Sequence, residues 1–561
     1  MNGHARSLAF GLALSLSVLA QQPKPLPPDH PAVATPGRLD NLSRLTEAVA
    51  GSRPAAASPV PRKNLIDERL FSRMQRDAVP HAPLASDEEF FRRVHLDLIG
   101  RIPDAAELEK FLAYAEPDKR DQLIDRLVGS HSWLANWSHW FLDLSRSVGG
   151  IVGAQGRNLY YDYIYDNLQA DRPYNELVGE ILTARAHSNW YSAPSTYLIR
   201  SRILGVVNTD VMHEDSADEM TVNVFKQFLG VNLQCISCHD GRNHLEKMNQ
   251  YLTGKTRKEF WSQAAFFGNT RIFRRTNVNP GRDEYGIADD ASGYDTSRSS
   301  LVRIQRTGKG PAEPSFILTG ERPAPGKPLR EELARMLTSH PQFARATVNT
   351  FWAELMGAGL VDPVSDFDLD RLDRHPQLDL LNALAEDFRK SNYSLPHLFR
   401  TITKSSAYQL SSVFPGQWQS KYSPYFARKF VRRLTAEQIY DSISVATGRA
   451  REIPIKESHR RVRYLNEIRD PEDISTNPGL KDVHYFVDTF GQANRRSTDR
   501  STDLSITQAV LLLNGSFIRD RVKVEPDTYL GKLLDREKWS DEQIIDNLFP
   551  RFLLRQPTAE E

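Results

Sequence analysis

From Asn64 onward, apolar residues recur every three or four positions, the spacing of one helix face. After Ser86 the pattern is clear. Phe90, Val94 and Leu98 fall four apart, Ser86 stands as N-cap with Glu89 three residues on as a capping box, and Gly100 closes the element. Residues 102–130 predict two further helices, split at Pro117. Residues 130–148 predict another, carrying Trp133, Trp137, Trp140, Phe141 and Leu144. That spacing puts three indoles on one face. A buried core stripe is the ordinary reading of such a face, and a stacking wall for a cofactor or sugar ring the sharper one. Residues 215–231 and 257–269 predict helices on either side of a short turn. Helices return over 329–357, 375–392, 395–411, 434–448 and 505–520.

Two stretches break the pattern. Residues 21–62 are rich in Pro and Ala and predict a mostly unstructured linker with a short helix near Leu42–Val49. Residues 271–327 are polar and turn-rich, with short strands predicted at 300–306 and 315–320. No fixed repeat period runs through the chain, which argues against a solenoid. The expected class is mainly α: two helical domains, 63–270 and 328–550, joined by an irregular connector, 271–327, with a small β element.

The chain has 561 residues, enough for two to four domains at about 150 residues each. A hydrophobic fraction of 40% with 25% charged residues is that of a globular protein. With 72 basic against 71 acidic residues, no domain-wide charge draws nucleic acid or anionic lipid. Residues 1–20 read as a signal peptide: Arg6, an apolar run from Leu8 to Leu19 too short to span a bilayer, and Val18-Leu19-Ala20 as cleavage site. No cysteine follows that run, which argues against a lipoprotein anchor. No later segment is long and apolar enough to span. The expectation is export to the periplasm or beyond, with no integral membrane segment after cleavage.

Only two cysteines occur, Cys235 and Cys238, and His239 follows the second directly, in "QCISCHD". Cys-x-x-Cys-His is the attachment pattern of c-type haem. Two thiols add across the two vinyl groups of one porphyrin edge, so they must lie close on one turn. The next residue, His239, then reaches the iron as axial ligand. Thioether formation follows export, which suits the leader. Three other readings stay open. An oxidising compartment allows a local disulfide. A zinc site would use Cys235, Cys238, His239 and His244, although adjacent Cys238 and His239 rarely both face one tetrahedral metal. A redox dithiol would want a βαβ context, and the flanks read as helices. For a sixth haem ligand, Met248, His213, Met212 and Met220 lie near in sequence, and none is singled out.

Asp366, Asp368 and Asp370 alternate as in a calcium loop, but that loop needs Gly and Glu where Arg371 and Gln377 stand, so a helix-capping turn before His375-Pro376 is expected instead. No Gly-x-Ser-x-Gly, phosphate loop or His-Glu-x-x-His is present, and no nucleophile–base pair stands out. No reaction class follows from the residues.

The stretches 87–113, 118–130 and 228–240 resemble the planctomycete cytochrome-c-like domain. The stretches 329–368, 375–388, 405–412 and 432–443 resemble the planctomycete-specific domain that usually follows it. The two resemblances cover roughly residues 65–270 and 328–550, and their separated motifs match in order. They imply an exported bacterial protein, often encoded beside a sulfatase-like partner, and no known reaction. Two positions depart from the pattern. Where the family usually carries a histidine just after the motif, this chain has Gly241, with His244 three residues on. Where it tends to place cysteines after "FGQANRR", this chain has Ser497-Thr498-Asp499. The leading expectation is an exported c-type haem protein that carries electrons to an unknown redox partner, with Cys235 and Cys238 as anchors and His239 as metal ligand. The alternative is a non-redox interaction or carbohydrate-processing scaffold in which the cysteines form a local disulfide.

Overall fold

Ser86 Oγ accepts from the Glu89 amide at 3.2 Å and starts the helix Asp87–Ile99, which Gly100 ends at φ +75°. The second half of the expected capping box is not made. Glu89 instead accepts from Arg93, from Ser411 Oγ at 2.9 Å and from the Ser412 amide at 3.0 Å, tying the first helical region to the second. Asp67 does the same from a fully buried position, accepting from the amides of Ser406 and Ala407 at 2.9 Å. In this computed structural model the residues described are 37–53, 59–205, 211–275, 283–496, 500, 504–526, 528–535 and 539–561. The expected leader and the first part of the Pro/Ala-rich stretch lie outside them.

The fold is mainly α, as expected, with few strands. The first helical region runs from Leu65–Arg76 to the single turn Ala265–Phe267, and the second from Leu329–Ser339 onward. One apolar core runs through both, from Ile66 and Phe90 through Phe225 and Phe260 to Phe343, Leu384 and Phe399. A smaller core gathers Tyr440, Leu465, Phe486 and Phe517 near the C-terminal end. Within 21–62, the helix Arg38–Ala50 is docked rather than free: Arg428 reaches Glu47 at 2.9 Å and Trp418 donates to Ser43 Oγ at 2.8 Å.

The β element is a hairpin at the start of the connector, Thr270–Arg274 antiparallel to Tyr285–Asp289, with Ile272 opposite Ile287. The strands expected at 300–306 and 315–320 are not formed; both stretches are bends and turns. In 300–306 the reason is an inversion of burial. Leu301, Val302 and Ile304 are exposed, while Arg303 and Arg306 are buried. Ion pairing rather than apolar packing decides how this stretch lies.

The tryptophan face divides. Trp133 and Trp137 are core, set edge-on against Phe399 at 5.2 and 4.3 Å. Trp140 is only half-buried, packed against Phe351 at 5.2 Å.

Candidate functional site

The helix His213–Phe228 ends two residues before Gly230, whose φ of +61° turns the chain back so that the Val231 amide reaches Phe225 O at 3.1 Å. A side chain at Gly230 would meet the Phe367 ring at 2.8 Å. Leu233 and Ile236 then sink into the core with no exposed surface. Around Ile236 the backbone makes one 3-10 turn, Cys235–Ser237, in which the Cys238 amide bonds Cys235 O at 3.1 Å and the His239 amide bonds it at 3.3 Å. The motif thus sits on a turn between helices, as expected.

Burial follows from that geometry. Ile236 and Ser237 are buried, while Cys235, Cys238 and His239 are half-buried, Cys235 against the apolar core. Both thiols are free. Burial pushes the Cys235 thiol above its ordinary pKa, and the nearby Asp366 and Cys238 add to the effect. The His239 Nδ1 lies 2.8 Å from the Asp240 carbonyl. A carbonyl only accepts, so that nitrogen carries the proton and Nε2 keeps its lone pair.

Two arginines clamp the turn from behind. Arg257 Nε donates to Ser237 O at 3.1 Å, and its amide donates to Asp240 Oδ1 at 2.7 Å. Its guanidinium continues to the carbonyls of Ile304 and Gln305. Arg303 Nε donates to Ser237 Oγ at 2.9 Å while its other arm meets Glu219 at 2.7 Å. Arg306 anchors the same loop between Asp215 and Asp218, at 2.6 Å to each. The sequence reading missed this clamp. Its signal was the acidic run Glu214, Asp215, Asp218, Glu219 on a helix whose face is buried; such carboxylates require cations, and "VRIQR" supplies them.

Gly241 explains one departure from the family pattern. Its amide donates to Lys255 O at 2.9 Å, and a Cβ there would lie 1.8 Å from Leu252 O. This backbone admits no histidine at 241. His244, exposed and three residues on, brings its ring to 4.2 Å from that of His239.

The other candidates fall elsewhere. Met220 is buried in the core, and Met248 is half-buried against it. Met212 and His213 stand at the start of the helix His213–Phe228, sixteen or more residues from the turn in sequence. Asp368 accepts from the amides of Gln250 and Tyr251 at 2.8 and 3.0 Å and so caps the short helix Gln250–Thr253, rather than the helix after His375-Pro376 that was expected, which has no side-chain cap. Asp366 accepts from Asn249 at 2.9 Å, and burial raises its pKa. Among the described residues no three His, Cys, Asp or Glu side chains are grouped to hold a metal ion. No helix of the described residues is long and apolar enough to cross a membrane.

Residues 65–272 match the family model PSCyt2, protein of unknown function (DUF1549), and residues 329–561 match PSD1, protein of unknown function (DUF1553). The chain therefore carries this pair of domains in series. No curated protein and no solved structure matches it.

Proposed function

We propose that Cys235, Cys238 and His239 attach and ligate a c-type haem, and that the chain serves electron transfer in the bacterial envelope after export. The observation that carries this reading is the division of burial within one turn. The two spacer residues are locked inward by the core and by Arg257 and Arg303, while the three reactive side chains on the same turn stay partly accessible.

Each residue then has a distinct job. Each thiol adds its S–H across one vinyl group, a step that releases nothing and needs no oxidant. His239, oriented by the Asp240 carbonyl, would offer Nε2 to the iron. The haem would supply one-electron chemistry.

The test is spectroscopic. The full chain, with its leader, is expressed in a host that matures c-type cytochromes, and a pyridine haemochrome spectrum is taken after denaturation. One covalent haem per chain is expected. A colourless protein with two titratable thiols, or with a Cys235–Cys238 disulfide, would replace this reading with that of a non-redox scaffold.

A further inference from the structure

A second site stands apart from the cysteine turn and is independent of it. Where the helix His131–Leu144 meets the helix Ala436–Thr447 and the single turn Leu465–Glu467, a cavity of about 220 Å³ opens. Its walls come from both family segments: Asn136, His139, Trp140 and Asp143 from the first, Glu437, Asn466 and Arg500 from the second.

Two buried acceptors in this lining have no partner. His139 is 5% exposed; its Nδ1 lies 2.8 Å from the Ile468 carbonyl, which only accepts, and 3.4 Å from Arg495 Nη2, which only donates, and the shorter contact places the proton on Nδ1. Its Nε2 therefore presents a lone pair. That atom is buried and unbonded, 3.9 Å from both Asp143 Oδ2 and Glu437 Oε1. Asn466 is 2% exposed; its amide nitrogen donates to Ile99 O, and its Oδ1 is left without a donor. Buried polar atoms without partners are costly, so two beside one cavity point to a ligand that donates.

The charges around them are already balanced. Arg500 bridges Asp143 and Glu437, and Arg495 holds Asp143 from the other side. Arg432 meets Asp97 at 2.6 Å. Asp143, Glu437 and Asp97 are thus each matched by an arginine; Glu354, half-buried, also lines the cavity and offers a ligand hydroxyl a further acceptor. One wall is the half-buried indole of Trp140, an apolar face at the edge of a polar cavity. The volume is below the roughly 300–1,000 Å³ of drug-sized pockets, enough for one ring.

We propose that this cavity binds a single neutral sugar ring, with Trp140 against its C–H face and His139 Nε2 and Asn466 Oδ1 accepting from its hydroxyls. Hydroxyls on a ring with an apolar face supply what the lining lacks. The site binds rather than hydrolyses by the two-carboxylate route, which needs one protonated carboxyl. Burial would raise Asp143, but Arg495 and Arg500 override it and hold that carboxyl far below the usual range. Arg500 likewise outweighs burial at Glu437, which is held at about 2.

The test uses the full chain and saturation-transfer NMR with D-glucose, D-galactose, D-mannose, L-fucose and D-xylose, alongside glucosamine and galactose 6-sulfate. At least one neutral sugar is expected to show transfer. His139→Ala and Trp140→Ala should each weaken it by about tenfold or more, the equivalent of one lost buried partner. Trp140→Phe, which keeps an aromatic face, should retain most of it. Circular dichroism checks the fold of each variant; Trp140 is half-exposed and so serves if His139→Ala fails to fold. The proposal is overturned if no neutral sugar shows transfer, or if only the amine or the sulfate binds. Binding undiminished in Trp140→Ala would overturn it as well.

Discussion

His239 and His244 bring their imidazole rings to 4.2 Å, tilted by 39°. Only one of the two is held in place from its own chain, His239 through the Asp240 carbonyl. His244 is exposed and stands on a loop that Gly241 closes, its amide donating to Gly241 O at 3.1 Å. In the haem reading the two have unequal roles. His239→Ala should abolish stable haem incorporation, and His244→Ala should leave the haemochrome yield nearly unchanged. If both cost metal affinity alike, roughly 10-fold or more for a lost ligand, the two imidazoles share one metal and the zinc reading takes over. Pyridine haemochrome and zinc content, measured on both variants, decide it.

Gly241 is needed for space rather than for an unusual φ. An added methyl group would strike Leu252 O, a backbone atom that cannot rotate away. Gly241→Ala is therefore expected to cost about 1–3 kcal/mol, as overpacking does. A urea titration reads the cost. Because the same amide bonds Lys255 O beside the clamp of Arg257, the thiols of the variant should also react faster with a disulfide reagent. Unchanged stability and unchanged thiol rates would show that the 241–255 contact does not support the turn.

Much of this was legible in the chain. Ser86, Gly100 and the period of four placed the helix Asp87–Ile99, and the sole pair of cysteines marked the turn. The pattern failed where burial is electrostatic. In residues 300–306 alternation of aliphatic and polar side chains suggested a strand, but Asp215, Asp218 and Glu219 pull Arg303 and Arg306 inward and leave the aliphatics outside. Periodicity cannot register a partner some ninety residues away. The cavity was illegible for a similar reason. His139 and Trp140 look like one more stretch of core helix until Glu437, Asn466 and Arg500 arrive from the second region. The three-indole face was read correctly as core for Trp133 and Trp137, and its sharper reading survives only at Trp140.

Acid should weaken the fold before its carboxylates are neutralised. Burial holds the pKa of His95 down to about 4, even though its Nδ1 donates to the Phe91 carbonyl at 2.8 Å. In the unfolded chain the same group titrates near 6.5. Between those values the unfolded state takes a proton that the folded state refuses, so stability falls as pH drops from about 6.5 to 4. The loss approaches about 3 kcal/mol for this one group. His95→Gln can still donate to Phe91 O and does not titrate. Urea midpoints at several pH values should show a shallower acid slope for the variant than for the native chain. Equal slopes would mean that His95 is not the group responsible.

The clamp behind the cysteine turn makes the sharpest stability prediction. Arg306 lies between Asp215 and Asp218 with all three side chains at 2% exposure or less, and its Nε also donates to the Tyr294 phenolic Oη at 2.9 Å. Arg306→Met leaves two buried carboxylates facing each other without a cation. Breaking such a pair costs about 3–5 kcal/mol, because the remaining charge stays desolvated. Removing the charges as well, in Arg306→Met with Asp215→Asn and Asp218→Asn, should restore most of the loss. Arg303→Ala should act differently. It leaves Glu219, which is partly exposed, able to find water, and so costs less overall. Its effect should fall on Ser237, whose hydroxyl it holds, and thus on the two thiols on either side. Thiol reaction rates and haem yield are therefore expected to change more in Arg303→Ala than in the triple variant, while global stability changes less in Arg303→Ala than in Arg306→Met. The reverse order would show that the loop is held by Arg306 alone and that Arg303 does not position the turn.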